Sequence, residues 1–321
     1  MTGMVALVKR LMASRLSRPV DVVRIYREHL LDATAYAASS RRDLQLSRSD
    51  GYASRKAQLD GQIIRAYHQI EKGMALPTPR RPYGIKVKER LVKLLALAAE
   101  FPDPPASVAD GRSALAALDN HNSTGAIDST VAPLPQPAPD GADDAARLME
   151  LFERRHSVRD FDASRPVDRT ALKKAVELAG MSPSVCNRKP WHVSFFDSTE
   201  SKKAILRLQR GASGFGDGIP VVAVISVERS LFTGEGERFQ EWIEGGIFAM
   251  NLVWGLQAQG LDSCLLNWSK RNRETRALRS VTGLSDSHDV IVVVGIGHGR
   301  AGHRVTRSPR RTLDELCTFE N

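Results

Sequence analysis

From residue 146 onward, apolar side chains alternate between spacings typical of helices and spacings typical of strands. Intervals of three and four residues predict a helix, and a short β-branched run predicts a buried strand. The predicted helices are Leu148–Phe152, a helix after a capping Asp168, Glu241–Gln259 and Arg273–Val281, and the predicted strands are Trp191–Phe196, Ile219–Ser226, Ser263–Trp268 and Val290–Ile296. This order indicates an α+β domain over residues 146–321, in which helices cover a sheet.

Two of these helices show a clear apolar face. The helix capped by Asp168 carries Leu172, Ala175, Val176 and Ala179 on one side and is expected to stop at Gly180. The long helix Glu241–Gln259 carries Ile243, Ile247, Met250 and Trp254 on one face.

The N-terminal part of the chain divides into two segments. Residues 1–101 are predicted to be helical, because apolar residues recur there at helical spacing in two sets: Val22, Ile25, Tyr26, His29 and Leu30, and Val87, Leu91, Leu94, Leu95 and Ala98. Residues 102–145 are rich in Pro, Ala, Asp, Ser and Gly. Such a composition buries little apolar surface to offset the entropy of ordering, so we expect a flexible linker.

The net charge of +9 is unevenly distributed: +10 on residues 1–101, −6 on 102–145 and +5 on 146–321. A basic surplus suits nucleic acid, an anionic membrane surface or an acidic partner, although most charge runs are solvated helix surface. Because no helix-turn-helix, aromatic platform or zinc motif accompanies the surplus, we expect no nucleic-acid partner.

Cysteine usage and hydropathy point to the cytoplasm. Cys186, Cys264 and Cys317 lie far apart and form no C-x-x-C pair, which predicts neither a disulfide framework nor a metal site. No apolar run approaches the roughly eighteen residues of a transmembrane helix, so no transmembrane segment is expected. The apolar stretch Met4–Val8 is cut short by Lys9 and Arg10, which favours an amphipathic helix over a secretory signal.

The segment Gly297–Gly302 follows a predicted strand and fits G-x-G-x-x-G, the phosphate-binding turn of dinucleotide folds. That motif also requires a helix, a second strand and a later acidic residue. The chain runs instead into a basic stretch and ends at Asn321. We therefore expect a glycine-rich turn that leaves a central strand.

Two polar segments carry candidate chemistry. Arg154, Arg155 and Arg159 cluster with a histidine and a serine at the end of the first predicted helix, and such multi-donor groups suit a phosphate or a carboxylate. The loop Met181–His192 holds side chains that can hydrogen-bond a polar ring edge. Each segment alone could also be an ordinary basic helix end or an ordinary loop.

Together, R-H-S-V-R-D-F-D at 155–162 and S-P-S-V-C-N-R-K-P-W-H at 182–192 resemble the paired motifs of the nitroreductase family. Gly245–Cys264 and the basic stretch Arg307–Leu316 resemble later segments of that family, so the resemblance covers essentially all of 146–321. His68–Gly84 resembles a segment of a subgroup with a helical N-terminal extension. The resemblance implies a nitroreductase-like sheet that binds FMN.

The resemblance also implies a role for each matching position. The groups expected around the FMN phosphate and the adjoining polar chain are Arg155, His156, Ser157, Arg159, Arg310 and Arg311. Thr312 replaces the proline usual in the tail.

Other matching positions would surround the flavin ring. Pro183, Ser184 and Asn187 would line the flavin from the partner subunit, and Lys189 stands where the family usually has Gln. A cation there would favour the anionic reduced flavin by Coulomb attraction. A backbone N–H near the ring is expected from the pair Asn267 and Trp268.

The resemblance implies an FMN-dependent oxidoreductase and a homodimer, because the family builds its sites across a two-fold interface. Hydride would pass from NADH or NADPH through the flavin to a small electron-poor acceptor in a ping-pong cycle, and no side chain is assigned a catalytic proton transfer. Two alternatives stay open: a flavin-binding sensor or scaffold without efficient turnover, and a same-fold flavin enzyme such as a dehydrogenase or dehalogenase.

Overall fold

The computed structural model describes residues 19–39, 52–135 and 143–320. Its helices are α1 (Pro19–Ser39), α2 (Tyr52–Met74), α3 (Ile85–Ala98), α4 (Val108–Thr124), α5 (Asp144–Arg154), α6 (Arg169–Ala179), α7 (Thr199–Gln209), α8 (Gln240–Ala258), α9 (Asn272–Thr282) and α10 (Leu313–Leu316). Its strands are β1 (Trp191–Phe196), β2 (Val221–Glu228), β3 (Asp262–Asn267) and β4 (His288–Gly297). The helix predicted around Met4–Val8 lies outside the described residues.

Helices α2, α3 and α4 pack around an apolar core of their own and form the N-terminal bundle. Leu59 and Ile63 of α2 meet Leu91 and Leu94 of α3, and all four are fully buried. The spacing of these residues turns one stripe of each helix inward. The helical N-terminal region expected from the sequence is therefore present in the described residues.

The linker predicted over residues 102–145 is wrong for the part that contains α4. Ala114, Ala117 and Leu118 of this helix are buried against α2 and α3. Small alanine side chains let two helices approach closely, so α4 buries more of its surface than its hydropathy suggests. Composition averaged over the whole segment hides this helix, because the proline-rich stretch after Val131 dominates the average.

Helix α2 also packs against the C-terminal domain. A Cβ atom on Gly61 would meet Leu231 at 3.0 Å, so the helix approaches this residue closely. The Arg65 guanidinium donates to Thr233 Oγ1 at 2.5 Å, and α2 contacts the short turn Val185–Asn187. The N-terminal bundle thus borders the loop that carries Ser184.

The C-terminal domain is built on a four-stranded antiparallel sheet of order β1-β2-β4-β3. The central strand β2 is buried along almost its whole length, as its run of β-branched residues predicts. Helices α6 and α8 pack on one face of the sheet, and α7 contributes to a second core on the other. All four predicted strands are confirmed to within two residues, and Asp168 caps α6 as expected.

The apolar face predicted for α8 is not the face that meets the core. Ile243 is 54 % exposed and Ile247 is 36 % exposed, whereas Glu244, Phe248 and Leu252 are buried. The helix is apolar on nearly all sides, so periodicity alone cannot identify the inward face. The outer face of α8 continues onto α5, whose Phe152 ring stacks on Trp254 with 3.9 Å between ring centroids.

The glycine-rich segment Gly297–Gly302 at the end of β4 is a turn, as its sequence predicts. Gly299 pairs with Phe161 through an isolated bridge, and its N–H donates to the Asp262 carboxylate at 2.7 Å. Among the described residues, no helix lies between this turn and α10. The strand that precedes the turn, β4, pairs with its neighbours in an antiparallel sheet. Neither feature suits a dinucleotide-binding βαβ unit. No helix in the described parts of the chain is long and apolar enough to span a bilayer.

Candidate functional site

The basic segment Arg155–Arg159 leaves α5 and runs beside the edge strand β3. Val158 N–H donates to Ser263 O at 3.1 Å, and Ser157 forms a parallel bridge with the same residue. Val158 is buried, which fixes the segment, while His156 and Arg159 are exposed. The Arg155 guanidinium lies 5.8 Å from the centroid of the Trp254 ring. The segment therefore carries two guanidinium groups and the Ser157 hydroxyl along one sheet edge.

A cavity of about 330 Å³ opens beside this segment. It brings Arg159 and Asn267 together, and the other residues that line it are Gln209, Arg210, Gly211, Cys264, Leu265, Leu266, Ser269 and Lys270. The Gln209 amide donates to Asn267 O at 3.0 Å and so ties α7 to the end of β3. The Trp268 side chain does not face the cavity, because it is buried and its indole donates to Thr275 Oγ1 at 3.1 Å.

The cavity is electropositive. Its lining carries the cations Arg159, Arg210 and Lys270 and no carboxylate. Burial raises the pKa of the Cys264 thiol, and the nearby Arg159 charge only partly offsets that effect, so the thiol stays neutral. Several cationic donors with polar amide and hydroxyl groups suit a phosphorylated or otherwise anionic ligand.

The loop Ser182–Pro190 is held by a buried carboxylate. Glu244 is 1 % exposed and accepts from Ser184 Oγ at 2.7 Å and from the Val185 N–H at 2.9 Å. Ser184 Oγ also accepts from the Lys189 N–H at 2.8 Å. The Ser184 hydroxyl proton is thus committed to Glu244, which leaves this side chain as an acceptor toward any ligand.

The same loop has an unusual backbone. Cys186, Asn187 and Lys189 adopt φ values of 52°, 57° and 49°, in the left-handed region that non-glycine residues seldom occupy. Conformations of this kind persist only where the surroundings impose them, and they cluster at functional sites.

Arg188 imposes this conformation from inside the loop. Its fully buried guanidinium donates to both carboxylate oxygens of Glu237 at 3.0 Å and to Leu231 O at 2.8 Å. Burial favours the neutral form of Glu237, but hydrogen bonds from Arg188 and from the Thr233 N–H outweigh burial and lower its pKa. The loop is therefore a rigid element.

Sequence reasoning missed the three residues that fix this loop: Arg188, Glu237 and Glu244. The signal for Glu244 was its helical spacing from Phe248 and Leu252, which places a carboxylate on the buried stripe of α8. No comparable pattern marks Arg188, because a single arginine in a polar loop is ordinarily solvated.

The candidate segments do not converge within one chain. Ser157 and Arg159 lie along β3, whereas the loop Ser182–Pro190 leads into β1 at the opposite edge of the sheet. Three strand spacings separate the two edges, or about 14 Å. Arg310 and Arg311 lie in an exposed tail, and no hydrogen bond or ion pair within the described residues joins residues 304–320 to the sheet domain.

Comparisons with known proteins agree with this architecture. The model of the nitroreductase family matches residues 152–212 and 200–298. The "Putative NAD(P)H nitroreductase YodC" of Bacillus subtilis (strain 168) is 20 % identical over 204 residues, which are 53 % of this chain and 98 % of the relative. The "CLA biosynthesis enone reductase" of Lactiplantibacillus plantarum is 38 % identical over 55 residues, 17 % of this chain and 25 % of the relative.

A solved structure shares the fold. The putative nitroreductase ydfN from Bacillus subtilis superposes with a TM-score of 0.50 at 15 % identity and covers 55 % of this chain and 100 % of its own. The α+β domain with its cation-lined edge cavity is thus a nitroreductase fold. Residues 152–298, just under half of the chain, therefore resemble the nitroreductase family. The N-terminal bundle lies outside the residues that the family model matches.

Proposed function

We propose that the C-terminal domain binds FMN and works as an NAD(P)H-dependent oxidoreductase. When bound, FMN would supply the redox chemistry by accepting a hydride from NADH or NADPH and passing it to a small electron-poor acceptor in a ping-pong cycle. The observation that carries the proposal is the electropositive cavity between Arg159 and Asn267, in a domain whose motifs resemble those of FMN-binding relatives. The name of the Bacillus subtilis relative supports the choice of reductant.

The residues along the β3 edge would hold the FMN phosphate and its polar chain. Arg155 and Arg159 would supply charge-assisted hydrogen bonds to the phosphate, with His156 and Ser157 beside them. The main chain of Asn267 and Trp268 would border the flavin ring, and the buried Trp268 indole keeps that strand end in place. Arg310 and Arg311 of the tail would complete the clamp.

A second copy of the chain would supply the rest of the site. Pro183, Ser184, Asn187 and Lys189 lie at the far edge of the sheet from Arg159, which supports a site to which each of two chains contributes one set. The exposed apolar face of α8 and α5, defined by Ile243, Ile247, Leu148, Met149 and Phe152, is a surface that a homodimer would bury.

The activity is tested by mixing the FMN-loaded protein with NADH or NADPH under anaerobic conditions. We expect the flavin absorbance to bleach within the mixing experiment and to return when a quinone, an enone or a nitroaromatic compound is added. Bound FMN that neither nicotinamide reduces would contradict the proposal and favour the sensor or scaffold alternative. Return of absorbance with only one class of acceptor would identify the chemistry.

The shared site is tested by a mixed dimer of two defective chains. Arg159→Glu reverses the charge of the phosphate side, and Pro183→Trp adds bulk at an exposed position of the loop. In a co-expressed mixed dimer one site carries both defects and the other carries none, so we expect about one FMN per two chains. If the Pro183→Trp homodimer binds FMN normally, the loop is not part of the site. If the mixed dimer binds no FMN, the two chains do not share a site. Arg112→Glu, on the exposed side of α4, is the matched control for charge reversal.

A further inference from the structure

A second, larger cavity of about 890 Å³ adjoins the candidate flavin cavity. Arg159 and Arg210 line both cavities. The larger one lies between α7, the loop that follows it and the Arg159–Phe161 segment. None of the predicted site residues except Arg159 belongs to it, and its volume is that of a small-molecule site rather than a macromolecular surface.

The charges of this cavity are strongly unbalanced. Its lining carries the cations Arg159, Lys203, Arg207, Arg210 and Arg300 and the acids Asp160 and Asp217. Arg300 is satisfied by Asp160 at 3.0 Å. Within the described part of the chain, Lys203, Arg207 and Arg210 make no ion pair.

Two of the unpaired cations point the same way. Lys203 and Arg207 are four residues apart on α7, a spacing that places both side chains on one helix face. Like charges at this spacing repel each other and cost stability. An anionic ligand between them would relieve that repulsion.

The loop after α7 adds backbone donors. It contains Gly211, Gly214, Gly216 and Gly218 in eight residues, and Gly214 has φ +85° with open space where a side chain would be. Among the described residues, the N–H groups of Ser213 and Gly214 have no hydrogen-bond acceptor. Successive free N–H groups in a glycine-containing turn form an anion-binding concavity.

We propose that this cavity binds the phosphate-bearing part of a small molecule that reacts at the adjoining flavin cavity. Lys203, Arg207 and Arg210 would neutralise a phosphate or diphosphate, and the Ser213 and Gly214 N–H groups would complete its coordination. The phosphate belongs either to the nicotinamide electron donor or to a phosphorylated acceptor. The position beside a flavin rests on the proposed function, whereas the anion binding does not.

The first test is a calorimetric titration of the full-length, FMN-saturated protein with inorganic pyrophosphate at low salt. We compare Lys203→Gln/Arg207→Gln, which removes two charges that do not line the flavin cavity, with Arg112→Gln on α4 as the matched control. We expect binding at least about tenfold weaker in the double variant and unchanged in the control, because each charge-assisted contact contributes more than a neutral one. No binding heat in the wild-type protein, or equal affinity in both variants, overturns the proposal.

The second test assigns the source of the phosphate. If the donor carries it, the double variant raises KM for NADH or NADPH and leaves KM for nitrobenzene unchanged. If the acceptor carries it, the double variant raises KM for 4-nitrophenyl phosphate but not for nitrobenzene. Unchanged KM values for every substrate overturn the link to the flavin cavity. If the chain binds no FMN, the same titration is made on the FMN-free protein and the affinities of the double variant and the control are compared, so failure of the proposed function and failure of this site are distinguishable.

Discussion

At the scale of single residues, the most unusual environment lies where α1 meets the sheet domain. Asp289 accepts from Arg229 at 2.6 Å and from Arg279 at 3.2 Å, and Arg229 also donates to Ser39 of α1 at 3.1 Å. Glu241 is buried beside this cluster, and its Oε2 has no hydrogen-bond partner. Burial and the neighbouring Asp289 raise the pKa of Glu241 well above its usual range. A protonated Glu241 can donate to Asp289, which an ionised one cannot.

Glu241→Gln is predicted to stabilise the protein at neutral and alkaline pH. Because the folded pKa of Glu241 is raised, its contribution is fully present below the unfolded pKa of about 4.3 and is lost as the pH rises through the folded pKa. Glutamine keeps the donor and removes the titration. We expect a gain of about 1–2 kcal/mol in unfolding free energy at pH 8 and almost none near pH 4. Thermal unfolding at both pH values measures it, and a gain independent of pH would contradict the assignment.

Arg188→Leu is predicted to destabilise the fold by about 3 kcal/mol, because it leaves the Glu237 carboxylate without its buried partner. Urea unfolding provides the measurement. The double variant Arg188→Leu/Glu237→Met is the control and recovers part of the loss, since it removes both charges together. A single variant within about 0.5 kcal/mol of the wild type would show that Arg188 does not hold the loop. If Arg188→Leu does not fold, Arg188→Lys tests the same bidentate contact.

At the scale of elements, α4 is the main structural addition to what the sequence predicts. Leu118 is fully buried between α2 and α3, whereas Leu134, in the same predicted linker, is 87 % exposed. Leu118→Ala is expected to cost about 2–5 kcal/mol through a cavity in the bundle core, and Leu134→Ala almost nothing. Thermal unfolding compares the pair. Equal and small effects would mean that α4 is not part of the bundle.

The elements that could be predicted are those whose residue pattern permits only one secondary structure and one buried face. The valine runs of β2 and β4 predict strands because β-branched residues favour buried strands, and the structure confirms both. The inward face of α8 could not be predicted, because Ile243 and Phe248 are equally apolar and tertiary packing selects Phe248. Arg155–Arg159 could be recognised from the sequence as a polar segment. The contact between Glu244 and Ser184 of the loop Ser182–Pro190 could not, because the two residues are 60 positions apart and leave no local pattern.

At the scale of the whole molecule, the proposed shared FMN site needs two chains. The candidate segments lie at opposite sheet edges, and the apolar face of α8 and α5 is exposed in the single chain. Ile243→Glu is predicted to convert a dimer to a monomer, because it would bury an unpaired charge at the interface. Val92→Glu, at a similarly exposed position of α3, is the control. Light scattering after size-exclusion chromatography measures both variants, and a wild-type monomer, or an Ile243→Glu dimer as stable as the wild type, would contradict the shared site.

The absorbance spectrum of the purified full-length protein tests whether the nitroreductase-like domain holds FMN. The protein is incubated with FMN and freed of excess flavin before the spectrum is taken. We expect a yellow protein with about one FMN per chain, and a large loss of that flavin in Arg159→Glu but not in Arg112→Glu. A colourless wild-type protein after incubation with FMN would contradict FMN binding by this domain.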